Sequence, residues 1–153
     1  MGGEWSVAGT GDFNGDRTSD VLWVSAAGDV AIWTISNGQL ASSASLGHMG
    51  AEWHVAGTGD VYNQGTDAIV WVDSSNDVQV WRMGGGAISQ MVDLSGHNGI
   101  EWHLKGVQNF NDNGKEDLLW LTSAGAAQTW ELSGSQVASD ILLTPQNNSI
   151  HGL

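Results

Sequence analysis

Apolar residues in this chain come in short runs separated by clusters of Gly, Asp, Asn and Ser. Residues 4–11 (EWSVAGTG) alternate well enough for a first strand. The run at 20–24 (DVLWV) is apolar after its opening Asp20, as expected of a strand covered on both faces. Ala27-Gly28 marks a tight turn, and 29–35 (DVAIWTI) predicts a third strand. Asn37-Gly38 is a strong two-residue hairpin signal. After it, 39–46 (QLASSASL) reads as a more polar fourth strand suited to an outer edge. Four strands joined in succession predict one antiparallel meander.

The pattern occurs three times. The nine tryptophans fall into the sets Trp5, Trp23, Trp33; Trp53, Trp71, Trp81; and Trp102, Trp120, Trp130. Each set is displaced by 48 and then 49 residues, with internal spacing unchanged. A period near this length marks propellers and related arrays, whose units bury their faces only by stacking on neighbours. The expected architecture is all-β: three four-stranded antiparallel β-propeller blades over 4–50, 52–99 and 101–144, followed by a tail at 145–153. Asn147 to His151 stands where the other repeats carry His48 to Trp53 and His97 to Trp102, as if a fourth repeat were beginning. Propellers typically have about four to eight blades, and an open stack would leave an apolar face at each end. The expectation is therefore a homodimer in which each chain sets its third blade against the other's first, closing a six-bladed ring with two-fold symmetry. The alternative is that the chain is part of a larger propeller.

At 153 residues the chain is long enough for one domain with a substantial core. Its formal net charge is −13, with Arg17, Arg82, Lys105 and Lys115 as the basic residues. Nucleic acid and anionic membrane surfaces are poor partners, because little here can neutralise phosphate. There is no cysteine, which excludes disulfides and thiolate metal sites. No apolar run approaches the roughly 20 residues of a membrane-spanning helix, and the N-terminus lacks a signal-peptide pattern. Membrane insertion is not expected.

The chemistry gathers in the loop between the first two strands. Asp12, Asn14 and Asp16 alternate with other residues, so a curled loop can turn three side-chain oxygens inward, and Asp20 closes it from the far end. With the Thr18 carbonyl, this set supplies the oxygen ligands that a hard cation such as calcium requires. The alternative is an Asp/Asn-rich turn whose side chains satisfy their own backbone. In the second repeat, Tyr62 and Gln64 replace Asn14 and Asp16, and Asp67 is displaced by one position, so only Asp60 is retained and no tight site is expected. The third repeat keeps the spacing with weaker ligands: Asn109, Asn111, Asn113, the Lys115 carbonyl and Asp117. Affinity follows ligand charge, so binding there should be weaker than in the first loop.

The run Trp-x-Val-x-Gly-Thr-Gly-Asp-Phe-Asn-Gly-Asp-x-x-x-Asp-Val-Leu-Trp, completed by Gly-Asp-Val-Ala-Ile-Trp at 28–33, resembles the FG-GAP/VCBS repeat family. Three copies span nearly the whole chain. The resemblance implies β-propeller blades like those of integrin α-subunits and several lectins, with calcium held by Asp12, Asn14, Asp16, Thr18 and Asp20. It also implies calcium-rich surroundings, and hence a secreted or cell-surface location. Arg17 departs from the family's usual glycine, which would strain the loop if that position needs φ > 0; Gly65 and Gly114 keep the glycine.

Indole faces also stack on sugar rings. Trp23, Trp71 and Trp120, with apolar neighbours, read as core, as do Trp33, Trp81 and Trp130. Trp5, Trp53 and Trp102, flanked by Gly and polar residues, are the better stacking candidates. His48 with His54, and His97 with His103, recur six residues apart around a Glu, and hydrogen bonding accounts for them more simply than a transition-metal site. A pocket at a blade junction built on Trp53, His54, Trp102 and His103 is the specific carbohydrate-binding expectation. No nucleophile elbow, phosphate loop or serine–histidine arrangement is present, so the chain reads as non-enzymatic. Two binding roles remain: a calcium-stabilised structural or adhesive module with a protein partner, or a carbohydrate-binding module.

Overall fold

The structure, a computed structural model, describes residues 4–50, 52–62, 64–75, 77–94, 102–108, 117–122, 125–133 and 136–143. The described residues are all-β: twelve strands in three antiparallel sheets of four. Sheet one comprises β1 (Trp5–Gly11), β2 (Asp20–Ser25), β3 (Asp29–Ser36) and β4 (Gln39–His48). Sheet two comprises β5 (Trp53–Gly59), β6 (Ala68–Asp73), β7 (Val78–Gly84) and β8 (Ala87–Asp93). Sheet three comprises β9 (Trp102–Gln108), β10 (Asp117–Thr122), β11 (Ala127–Ser133) and β12 (Gln136–Leu143). In each sheet the strands lie side by side in chain order, and the three sheets do not close on one another.

Local chemistry accounts for the meanders. Asn37 and Gly38 adopt φ of 55° and 76°, positive at both turn positions as a two-residue type I′ hairpin requires, and they join the paired Ser36 and Gln39. Gly85 and Gly86 make the matching turn in sheet two, at φ 64° and 84°. Gly28 is needed at its turn, at φ 94°, because an added Cβ would collide with the Met49 carbonyl oxygen. A bulge breaks the pairing of first and second strands at the same place in every sheet: between Val7 and Gly9, between Val55 and Gly57, and opposite Leu119/Trp120.

Among the described residues the core forms two clusters, one at each junction. Sheet one contributes Phe13, Leu22, Val30, Ile32 and Met49 against Ile69, Trp71, Trp81 and Met83 of sheet two. Sheet two contributes Val61, Val70, Val78, Val80 and Leu94, among others, against Leu118, Trp120, Trp130 and Leu132 of sheet three. Each sheet thus offers an aliphatic face to the tryptophan face of the next. The first strands of successive sheets adjoin, β1 to β5 and β5 to β9, while among fourth strands β4 meets β8 only lightly.

Trp71, Trp81, Trp120 and Trp130 are at most 1% exposed, as expected of core residues. Trp23 and Trp33 depart from that expectation and are only half-buried. They occupy the same positions and pack on each other in the same way, with centroids 4.9 Å apart against 5.0 Å and 4.8 Å in the other sheets. The difference is the neighbour: no described sheet precedes sheet one, so its tryptophan face is left open, with Val7 on it 55% exposed.

Candidate functional site: the first loop and the junction cleft

The loop between β1 and β2 is wound by its own acidic side chains. Asp12 Oδ1 accepts the N–H groups of Gly15 (2.8 Å) and Asp16 (3.1 Å), and Oδ2 accepts that of Arg17 (2.8 Å). Asn14 Oδ1 accepts the Asp16 N–H at 3.1 Å, and Asp16 Oδ1 accepts the Thr18 N–H at 2.9 Å. Asx side chains make such turns readily. Gly15 and Arg17 take φ of 83° and 69°, so Arg17 does sit in the left-handed region where glycine would be free of strain.

Asp20, the first residue of β2, is fully buried. Its carboxylate accepts the Phe13 N–H and the Ile35 N–H, each at 3.1 Å, tying the loop to the β3–β4 hairpin. Burial raises its pKa most, the two backbone hydrogen bonds pull it down, and the Asp16 and Asp12 charges push it up. Phe13, also fully buried, pins the loop's second residue into the core.

The structure brings Asp12, Asn14, Asp16, Thr18 and Asp20 into one wound loop, but it engages the side-chain oxygens with backbone N–H groups. Among the described residues no three His, Asp or Glu side chains converge as a metal-holding group. The donor set is nevertheless chemically suited to calcium. It is all hard oxygen: Asp12 Oδ1 already accepts two N–H bonds, but Asp12 Oδ2, Asn14 Oδ1 and Asp16 Oδ1 each accept one from the loop and retain a second lone pair. Asn109, Asn111, Asn113 and Lys115 lie outside the described residues; Asp117 of that loop is buried at the start of β10, as Asp20 is in β2.

The second loop keeps the winding without the ligands. Asp60 accepts the N–H groups of Gln64 (2.8 Å) and Gly65 (2.9 Å), matching Asp12. Asp67 works outside its own loop: its Oδ2 accepts the Asp12 N–H at 2.8 Å, while the Asp67 N–H donates to the Asp12 carbonyl at 2.8 Å. Its one-residue displacement in sequence was the only signal of this role. Burial raises the Asp67 pKa, the Asp12 hydrogen bond lowers it, and the Asp60 and Asp12 charges raise it. The Gly86 N–H reaches the Phe13 carbonyl at 3.3 Å, and Thr58 Oγ1 donates to the Thr10 carbonyl at 2.6 Å. Loop one is therefore built into the junction with sheet two.

At the opposite end of that junction is a cleft of about 360 Å³, lined by Glu4, Ser6, Trp53, His54 and Trp71 among others. A neighbouring hollow of about 200 Å³ shares Trp53, His54 and Trp71. Trp53 and His54 therefore both line hollows at this junction. The Trp71 indole N–H is buried without a hydrogen-bond partner, as are those of Trp23, Trp81 and Trp120. His48 Nδ1 lies 3.0 Å from Asp29 Oδ1 in an exposed pair, and among the described residues it joins no metal-holding group. In the third repeat His103 is exposed on β9, and the side chain of Trp102 lies outside the described residues.

Compared with known protein families and with characterised proteins, the chain matches none.

Proposed function

We propose that this chain is a non-enzymatic, calcium-stabilised β-propeller module of the FG-GAP/VCBS type, serving a structural or adhesive role in a secreted or cell-surface protein. The observation that carries this reading is loop one. Asp12 winds it through three backbone N–H bonds, Asn14 and Asp16 continue the turn, and an all-oxygen donor set is the result. Calcium there would join Asp12, which is hydrogen-bonded to Asp67 of the next sheet, so ion binding would stiffen the junction as well as the loop.

The sheets are the blades of the proposed propeller, close at their first strands and separating outward. The half-open Trp23/Trp33 face supports completion of the ring by a second copy, whose third blade would cover it. That blade offers Leu119, Leu121, Ala127, Thr129 and Lys105 where sheet one offers Leu22, Val24, Val30, Ile32 and Ala8 to sheet two. The new junction would be more polar than the internal one, and its assembly correspondingly weaker. Light scattering across a concentration series, with calcium and with chelator, tests both parts. Two chains per particle at high concentration, falling to one on chelation, is the expected result. A monomer at every concentration overturns ring closure, and indifference to chelation overturns the structural role of calcium.

A second reading, a carbohydrate-binding module, is favoured by the Trp53/His54 cleft alone. Its test is retention on immobilised sugars that is lost in Trp53→Ala; no retention on any sugar sinks it.

A further inference from the structure

The second loop lacks the ligands of the first and is held by a different set of side chains. Gln64 stands at the position of Asp16, and its Oε1 accepts two hydrogen bonds from one guanidinium, Arg82 Nη2 at 2.7 Å and Nε at 3.1 Å. The same guanidinium lies 4.1 Å from the centroid of Tyr62, which stands at the position of Asn14. Its third arm, Nη1, bonds Gln90 Oε1 of β8 at 3.0 Å. Gln64 Nε2 donates to Thr66 Oγ1 (2.6 Å) and to the Met83 carbonyl (2.9 Å), and Thr66 Oγ1 donates to that carbonyl at 2.8 Å. At the Arg82 position the first repeat has Thr34 and the third has Glu131.

We propose that loop two is a cation site whose resident cation is the Arg82 guanidinium, covalently tethered from β7, so that this loop is locked without a metal ion. Of the three ligand positions changed in this loop, Arg82 engages two, Gln64 through its amide oxygen and Tyr62 through its aromatic face; at the third, Ala68 stands where Asp20 stood. The amide oxygen and the aromatic face are weaker acceptors than a carboxylate, and both suit a broad, weakly hydrated guanidinium better than a compact dication. A planar fork anchored on three groups fixes the loop to β7 and β8 as a metal would fix it to its own ligands. The chain therefore carries one loop that answers to calcium concentration beside one that does not. The contrast rests on the calcium reading of loop one; the Arg82 lock itself does not.

Amide hydrogen exchange by NMR separates the two. The probes are the Gln64 and Gly65 amides, bonded to Asp60, and the Asp16 and Arg17 amides, bonded to Asp12. In the wild type, chelation should accelerate exchange at Asp16 and Arg17 and leave Gln64 and Gly65 unchanged. Arg82→Met should accelerate Gln64 and Gly65 on the order of tenfold, equally with and without calcium, and Arg82→Lys should fall between. Unchanged exchange at Gln64 and Gly65 in Arg82→Met overturns the proposal, as does acceleration of the wild-type second loop by chelator. Should chelation move neither loop, the calcium reading fails, while the Arg82 variants still decide the lock. If Arg82→Met does not fold, the Arg82→Lys and Gln64→Leu variants carry the same comparison.

Discussion

Asp12 and Asp67 hold each other across the first two sheets: the Asp12 N–H donates to Asp67 Oδ2 and the Asp67 N–H donates to the Asp12 carbonyl, both at 2.8 Å. Asp12 is the residue that winds loop one, so the clasp connects the shape of that loop to the position of the neighbouring sheet. Gly11 makes room for it, since a Cβ there would lie 2.9 Å from Asp67 Oδ2.

Replacing Asp67 separates the hydrogen bond from the charge. Asp67→Ala leaves the Asp12 N–H without its acceptor and should cost about 1 kcal/mol. Asp67→Asn keeps an acceptor and removes the repulsion from Asp12 and Asp60 that raises the Asp67 pKa, so its stability should equal or exceed the wild type. Urea denaturation midpoints rank the three proteins, and Asp67→Asn falling as low as Asp67→Ala would show that the charge itself is needed.

Asp16 is exposed and caps the Thr18 N–H alone, so its loss should matter chiefly to an ion. Asp16→Ala should weaken calcium binding and lower the melting temperature in calcium, with a much smaller effect in chelator. Equal melting shifts in both conditions would remove the first loop from consideration as a metal site.

Arg17 bears the cost of a left-handed backbone at φ 69°, where Gly65 takes 88° in the second loop. Arg17→Gly should raise stability by about 0.5–1 kcal/mol, because the relief of strain exceeds the entropy glycine adds to the unfolded chain. Thermal unfolding in chelator is the measurement, and a fall in melting temperature would mean that the arginine side chain contributes something beyond its backbone.

Tyr62 is the chain's one tyrosine, so phenolate absorbance reports it alone. Burial raises its pKa above the usual phenol range, and the Arg82 charge acts in the opposite direction. Because the folded pKa is raised, its contribution to stability is complete below the unfolded value of about 10 and is lost as pH climbs to the folded one. Arg82→Met should move the phenolate transition higher still. A transition at the ordinary value in the wild type would contradict the packing of Tyr62 beneath the guanidinium.

Much of the fold was legible because tryptophan spacing gives the repeat and glycine pairs give the turns. The Asn37-Gly38 hairpin, the polar outer strand and the three sheets all follow from short-range chemistry. What stayed hidden was set by neighbours across junctions. Trp23 and Trp33 stand at the positions of Trp71 and Trp81, and their burial differs because no described sheet packs in front of them. Asp67 looked like a misplaced ligand because its partner is 55 residues away in another sheet. Arg82 carried one signal, a lone cation among repeats that place Thr34 and Glu131 at its position, but its partners Gln64 and Tyr62 were visible only as losses.

Among the described residues, sheet two alone supplies side chains to both core clusters. Pulled from its two ends, the chain would shed the first and third sheets as separate events, each at the expense of one cluster. The middle sheet, stripped of both flanks, would have nothing left to lean on. Force–extension traces should thus show two peaks and no third.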